Sequence, residues 1–129
     1  MRNELKAKFK QSECRKPHEI SCNEIKQACQ QAFGVTKTEF EDSTKSDIRL
    51  CRSRQAYWLI SRRIKLLTLN DIASDFDRNK NNIAQSIKRF SDSMKDNRII
   101  LETFLSIGQL LNSRDSINKI AEDIINGEK

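Results

Sequence analysis

Glycine and proline are scarce in this chain, and their scarcity constrains its fold more than any other feature. Three glycines and one proline occur in 129 residues, and no long stretch alternates polar with apolar residues. Because both residue types interrupt helices and mark turns, their near absence favours helical segments. The sequence therefore predicts an all-α protein, long enough to form one domain with a sizeable core.

Basic residues outnumber acidic ones, with 24 Lys and Arg against 18 Asp and Glu, giving a net charge of +6. This excess favours polyanionic partners and says nothing about the fold. No apolar stretch reaches the roughly 18 residues that a membrane helix needs, and no signal peptide opens the sequence. We therefore expect a cytoplasmic, nucleoid-associated protein without a membrane partner.

The residue types that bind metals or perform catalysis are poorly arranged for either task. His18 is the only histidine, and no cysteine pair has C-x-x-C spacing, so a zinc site is not indicated. Cys22 and Cys29 share one face of a predicted helix, where free cysteine packs well in a core. Asp71 and Asp75 have no partner base and suit salt bridges or helix-dipole pairing. We expect no metal, no cofactor and no enzymatic activity.

Residues 1–19 are a basic N-terminal segment, interpreted as a flexible arm or a frayed helix. Both a solubilising tail and an arm that touches DNA fit this composition. Ser21 and Glu24 then form a capping box, in which each side chain accepts a hydrogen bond from the other residue's backbone N–H. Gly34 ends this helix because glycine tolerates a left-handed backbone. The folded domain is predicted to begin at residue 20.

A short helix, a loop and a long helix are predicted in the middle of the chain. Residues 36–42 form the short helix and bury Phe40, whereas residues 43–53, STKSDIRLCRS, form a basic loop. The long helix covers about residues 53–67. Trp58 lies on the same side of this helix as its arginines. We expect it to pack under the N-terminal or C-terminal helices rather than to stack on DNA.

Two helices joined by a three-residue turn follow. Thr68 caps the first, residues 69–76, and Asn79 caps the second, which begins at residue 80. The second helix has a buried apolar stripe, formed by Ile83, Ile87, Phe90 and Met94. Its outward face carries Asn81, Ala84, Gln85 and Lys88. Residues 78–91 include no acid. This pattern is typical of a helix-turn-helix motif, whose second helix enters the major groove of DNA.

Two amphipathic helices complete the sequence. The first carries Leu101 and Phe104 among its apolar residues and closes the predicted domain, residues 20–112. The second lies in an additional segment, residues 113–129, and carries a stripe of isoleucines. That stripe packs on its own domain or contacts a partner, and we favour core packing. The expected state is a monomer or a weak dimer.

Three stretches resemble the C-terminal DNA-binding domain (domain IV) of the bacterial chromosomal replication initiator DnaA, a helical domain related to the Trp repressor fold. EIKQACQQAFGVTKTEF resembles its first helix and the following turn, and RSRQAYWLISRRI its R-P-R-Q-led helix. TLNDIASDFDRNKNNIAQSIKRF is similar to its S-L-x-E-I-G-x-x-F-G-G-R-D-H-T-T-V motif. The resemblance covers about residues 20–111. No G-x-x-x-x-G-K-[ST] motif is present, so we expect this domain without the initiator's ATPase module.

The resemblance implies DNA-contacting roles for the long helix and the loop before it. Arg54 and Gln55 match the family's R-Q pair, which touches DNA, and Arg62 matches a basic residue that contacts phosphate. The family's loop inserts an arginine into the minor groove. Ser46 stands at that offset here, so the substitute is a neighbouring basic residue, Lys45 or Arg49.

The base-reading tetrad departs from the family at every place. The counterpart of D-H-T-T is residues 79–82, with one residue fewer in the turn, and Asn79 lacks the negative charge of the family's aspartate. Base contacts specify a sequence and phosphate contacts position the protein, so we expect double-stranded DNA binding with altered specificity. The expected DNA-contacting residues are Lys45, Arg49, Arg52, Arg54, Gln55, Arg62, Arg78, Asn79, Lys80, Asn81, Asn82, Gln85 and Lys88.

Two functions fit these features. The first is sequence-specific DNA binding in replication control or transcription regulation. The second is a non-catalytic adaptor that keeps the fold, has lost base reading and binds a replication or regulatory protein. The altered tetrad favours the adaptor, whereas Arg54, Gln55 and the acid-free second helix favour DNA. The salt dependence of duplex binding distinguishes them.

Overall fold

The all-α prediction is confirmed for residues 14–42 and 44–127, which the computed structural model describes. These residues form seven α-helices and no β-strand: α1 Cys22–Phe33, α2 Lys37–Glu41, α3 Ile48–Ile64, α4 Leu69–Phe76, α5 Lys80–Asp96, α6 Arg98–Leu110 and α7 Arg114–Ile125. A single 3-10 turn, Pro17–Glu19, precedes α1. None of the described helices is long and apolar enough to cross a membrane.

The helix boundaries follow local capping chemistry. The Glu24 N–H donates to Ser21 Oγ (3.1 Å), and the Ser21 N–H donates to Glu24 Oε1 (3.0 Å), as the capping box predicted. Gly34 closes α1 with a left-handed backbone (φ 70°). The other predicted caps are confirmed too, namely Thr68 before α4 and Asn79 before α5, and Thr36, predicted as the first residue of the short helix, is the cap of α2.

Helix α3 is the centre of the fold and differs most from its prediction. It begins at Ile48, because the Asp47 side chain accepts from the Leu50 N–H (2.9 Å), so the predicted loop is wrong from residue 48 onward. It ends at Ile64 rather than residue 67 because Leu66 has a left-handed backbone (φ 56°). Helices α1, α2, α5 and α7 surround it. Its buried residues are Leu50, Ser53, Arg54, Ala56, Tyr57, Trp58, Leu59, Ile60 and Ser61.

Helix α7 packs on the body of the protein, which confirms the core-packing interpretation of its isoleucine stripe. It contacts α3, α5 and α6. Arg63 of α3 pairs with Asp123 of α7 at 2.6 Å. The apolar residues of α7 that enter the core are Ile117, Ile120, Ala121 and Ile124.

Residues 14–19 also belong to the folded body and are not a flexible arm. The Arg15 N–H donates to the Asn112 carbonyl (2.7 Å), and Ser113 Oγ donates to the Arg15 carbonyl (2.7 Å). The Arg15 guanidinium pairs with Glu24 at 2.6 Å. The remainder of the predicted arm, residues 1–13, lies outside the described residues.

Candidate nucleic-acid interface

The polar face of α5 is fixed by the apolar residues beneath it. Ile72 of α4 and Ile83 of α5 are buried, so the two helices share one core. The turn between them begins at Asp77, whose left-handed backbone (φ 52°) ends α4, and the Arg78 N–H donates to the Ala73 carbonyl (2.9 Å). Of the predicted outward face of α5, Asn81, Gln85 and Lys88 are exposed and Ala84 is half-buried. Lys80 and Asn82, beside that face, are exposed too.

An open depression of about 460 Å³ brings three helix ends together. Arg62 comes from the last turn of α3, Asn70 from the first turn of α4, and Lys80 with Asn81 from the first turn of α5. Arg62 also donates to the Leu67 carbonyl at 3.3 Å, which directs it along the exit of α3. The depression therefore joins two cations and two amides on one surface. Leu66 was missed from the sequence because it was predicted to lie inside the long helix, and no contact was assigned to Asn70 of the following helix.

Arg54 lies inside the protein, and the prediction that it contacts DNA is wrong for this structure. Arg54 is 2% exposed. Its guanidinium donates to the carbonyl oxygens of Phe40 (3.0 Å), Lys45 (3.1 Å), Glu39 (3.1 Å) and Asp42 (2.8 Å). These carbonyls belong to the end of α2 and to the loop after it, and only arginine offers enough donors for all four. Arg54 positions that loop and does not reach a phosphate.

The basic loop is shorter than predicted, and its cations differ in availability. Lys45 is exposed and remains in the loop. Arg49 lies in the first turn of α3, where its guanidinium pairs with Asp47 (3.4 Å) and Glu39 (3.6 Å). These carboxylates compete with any phosphate for Arg49. Arg52 and Gln55, the other residues of this region that were predicted to contact DNA, lie on α3 and are half-buried.

Trp58 is buried against α4, so the prediction that it packs under the terminal helices is wrong. Its ring meets Phe76 edge-on with centroids 5.3 Å apart. The guanidinium carbon of Arg78 lies 5.7 Å from the Trp58 ring centroid, within the range of a cation–π contact. Trp58 Nε1 is buried without a hydrogen-bond partner in the described part of the chain. The Trp58 ring therefore supports the side chain of Arg78, an exposed residue of the turn before α5.

The acidic residues of α4 serve the fold, as expected. Asp71 completes the capping box with Thr68, and the Thr68 N–H lowers the pKa of the Asp71 carboxyl. Asp75 pairs with Lys26 of α1 at 3.2 Å. Cys29 is fully buried, and burial raises the pKa of its thiol. No cluster of three or more His, Cys, Asp and Glu that could hold a metal ion occurs among residues 14–42 and 44–127.

A second cavity, of about 360 Å³, lies between α1, α2 and the end of α4. Charges of both signs line it in equal number: Lys26, Arg54 and Arg78 against Glu41, Asp75 and Asp77. Such a lining gives no net attraction for a polyanion. The depression beside Lys80 is therefore the better candidate for a nucleic-acid surface.

Comparisons of the chain with protein-family models, with curated proteins and with solved structures find no match.

Proposed function

We propose that the chain binds double-stranded DNA, with α4, the turn at residues 77–79 and α5 acting as a helix-turn-helix. One observation carries the proposal: the acid-free, exposed start of α5 shares a depression with Arg62 of α3. In a helix-turn-helix, the residues at the start of the second helix face base edges, and the flanking surface contacts the backbone. In this chain, the start of the second helix carries Lys80 and the amide of Asn81, and the flanking surface carries Arg62.

The residues of this surface divide by chemistry into positioning and base-reading groups. Lys80 and Arg62 neutralise phosphates, and phosphate contacts set the register of the protein on the duplex. Asn81, Asn82 and Gln85 present amides, which bond the adenine edge in the major groove. Asn79 contributes differently, because its side-chain oxygen already accepts from the Asn81 N–H at 2.8 Å.

The biological role proposed with this activity is replication control or transcription regulation. The support for it is the resemblance of the quoted motifs to the DNA-binding domain of the replication initiator. Because the tetrad at residues 79–82 differs from D-H-T-T, the proposed site is not the initiator's usual box. Arg54 has no part in the proposed contact, and Arg62 is the α3 residue that carries it.

The test is selection of bound duplexes from a random library, followed by anisotropy titration of the enriched duplex. Replacing Lys80 and Arg62 together by Gln is expected to weaken binding at least about tenfold, since two phosphate contacts are lost. Lys80→Gln alone is compared with Lys95→Gln as its matched control. Each removes one positive charge from α5, but Lys95 lies about 22 Å further along the helix axis, so its replacement is expected to leave affinity unchanged.

The outcomes separate DNA binding from the adaptor function. An enriched motif, together with the loss in the double variant alone, supports the proposal. Equal effects of the Lys80 and Lys95 changes would contradict the placement of the surface. Absence of any enrichment with a folded protein overturns DNA binding and favours a protein partner.

A further inference from the structure

Leu66 has an unusual backbone and an unusual exposure for its residue type. Its φ is 56°, in the left-handed region, and it is 79% exposed, more than any other large apolar residue that the structure describes. A left-handed backbone brings Cβ too close to the following carbonyl oxygen, which costs stability at every residue with a side chain. Leu66 recovers almost none of that cost by burial.

The other left-handed positions show what this chain uses when only the fold is at stake. Gly34, Asp77, Asn112 and Gly127 occupy them, and these residue types tolerate such a backbone best. A glycine or asparagine at position 66 would close α3 equally well and with less strain. The leucine side chain is therefore better explained by a contact outside the chain.

The surroundings of Leu66 indicate what that contact is. Leu66 lines the same depression as Arg62, Lys80 and Asn81, beside the start of the proposed recognition helix. The apolar group that a DNA major groove presents is the C5-methyl of thymine. We propose that Leu66 contacts a thymine methyl group and thereby helps to determine the sequence preference. This inference rests on the proposed DNA binding.

The test uses the duplex enriched by selection, with each thymine replaced singly by deoxyuridine, which removes only the methyl group. For the wild type, one such replacement is expected to weaken binding about fourfold, the value of one buried methyl. Leu66→Asn should bind the thymine duplex about fourfold more weakly and should be indifferent to that replacement. Leu66→Met, which keeps an apolar side chain, should retain the sensitivity.

A stability measurement excludes damage to the fold as the cause. Leu66→Asn is expected to raise Tm by about 3 °C, because asparagine relieves the left-handed strain. Weaker binding by a more stable protein supports the inference. If Leu66→Asn binds as the wild type does, or responds equally to deoxyuridine, Leu66 makes no methyl contact, while DNA binding itself stands. If the wild type binds no duplex, the proposed function and this inference both fail.

Discussion

Arg54 shows how a single buried cation can hold a loop in place. It is 2% exposed, and burial lowers the pKa of its guanidinium. A buried charge is tolerated only when its donors are satisfied, and here four backbone carbonyls from residues 39–45 accept from it. Lys45 of this loop is exposed, and its carbonyl oxygen accepts from Arg54, so Arg54 helps to fix the position of a surface cation.

Replacing Arg54 by Met is expected to lower the free energy of unfolding by about 3 kcal/mol, because four carbonyl oxygens in a buried or partly buried setting lose the guanidinium that donates to them. Arg54→Lys should recover part of this loss, since an ammonium offers three donors without the planar fork of guanidinium. Urea denaturation measures both. Arg62→Met is the control on the same helix and should change stability little, since Arg62 is exposed. Equal losses of stability at the two positions would refute the role of Arg54 in holding the loop.

At the scale of elements, Glu24 joins the N-terminal segment to α1. Its carboxylate accepts two hydrogen bonds from the Arg15 guanidinium, at 2.6 and 2.9 Å, and one from the Ser21 N–H. The hydrogen bonds from Arg15, followed by the one from Ser21, lower the pKa of Glu24 from 4.5 to about 2. The same side chain therefore caps a helix and fastens the segment that precedes it.

A lowered pKa in the folded state makes this fastening depend on pH. The stabilisation is fully present above the usual pKa of 4.5 and is lost as pH falls toward about 2, because the unfolded chain takes up the proton first. Thermal unfolding of wild type and Glu24→Gln should show a constant difference in Tm above pH 5, which shrinks between pH 4.5 and 2. An NMR titration of Glu24 with a midpoint near 4.5 would rule this out.

At the scale of the whole molecule, features that depend on neighbouring residues could be predicted from the sequence, whereas features that depend on tertiary packing could not. The caps at Ser21 and Thr68 depend on residues three positions apart, so their pattern was enough to place two helix starts. The start of α3 was missed because residues 48–52 show no apolar stripe at helical spacing: Ile48 is exposed, and Leu50 is the buried residue among them. Hydrophobic periodicity likewise does not reveal which element covers Trp58. In the structure that element is α4, whose partly buried Phe76 packs against the Trp58 ring.

The proposed DNA surface also predicts how the whole protein responds to salt. Each neutralised phosphate adds about −0.9 to the slope of log affinity against log salt concentration. Replacing Arg62 and Lys80 by Gln should therefore make the slope about 1.8 units shallower. Replacing Asn81 and Asn82 by Ala should weaken binding without changing the slope, because amides meet bases and release no counterions. Titrations of the enriched duplex from 50 to 200 mM salt measure both. If the asparagine variant alters the slope as much as the cation variant does, the division into positioning and base-reading residues is wrong.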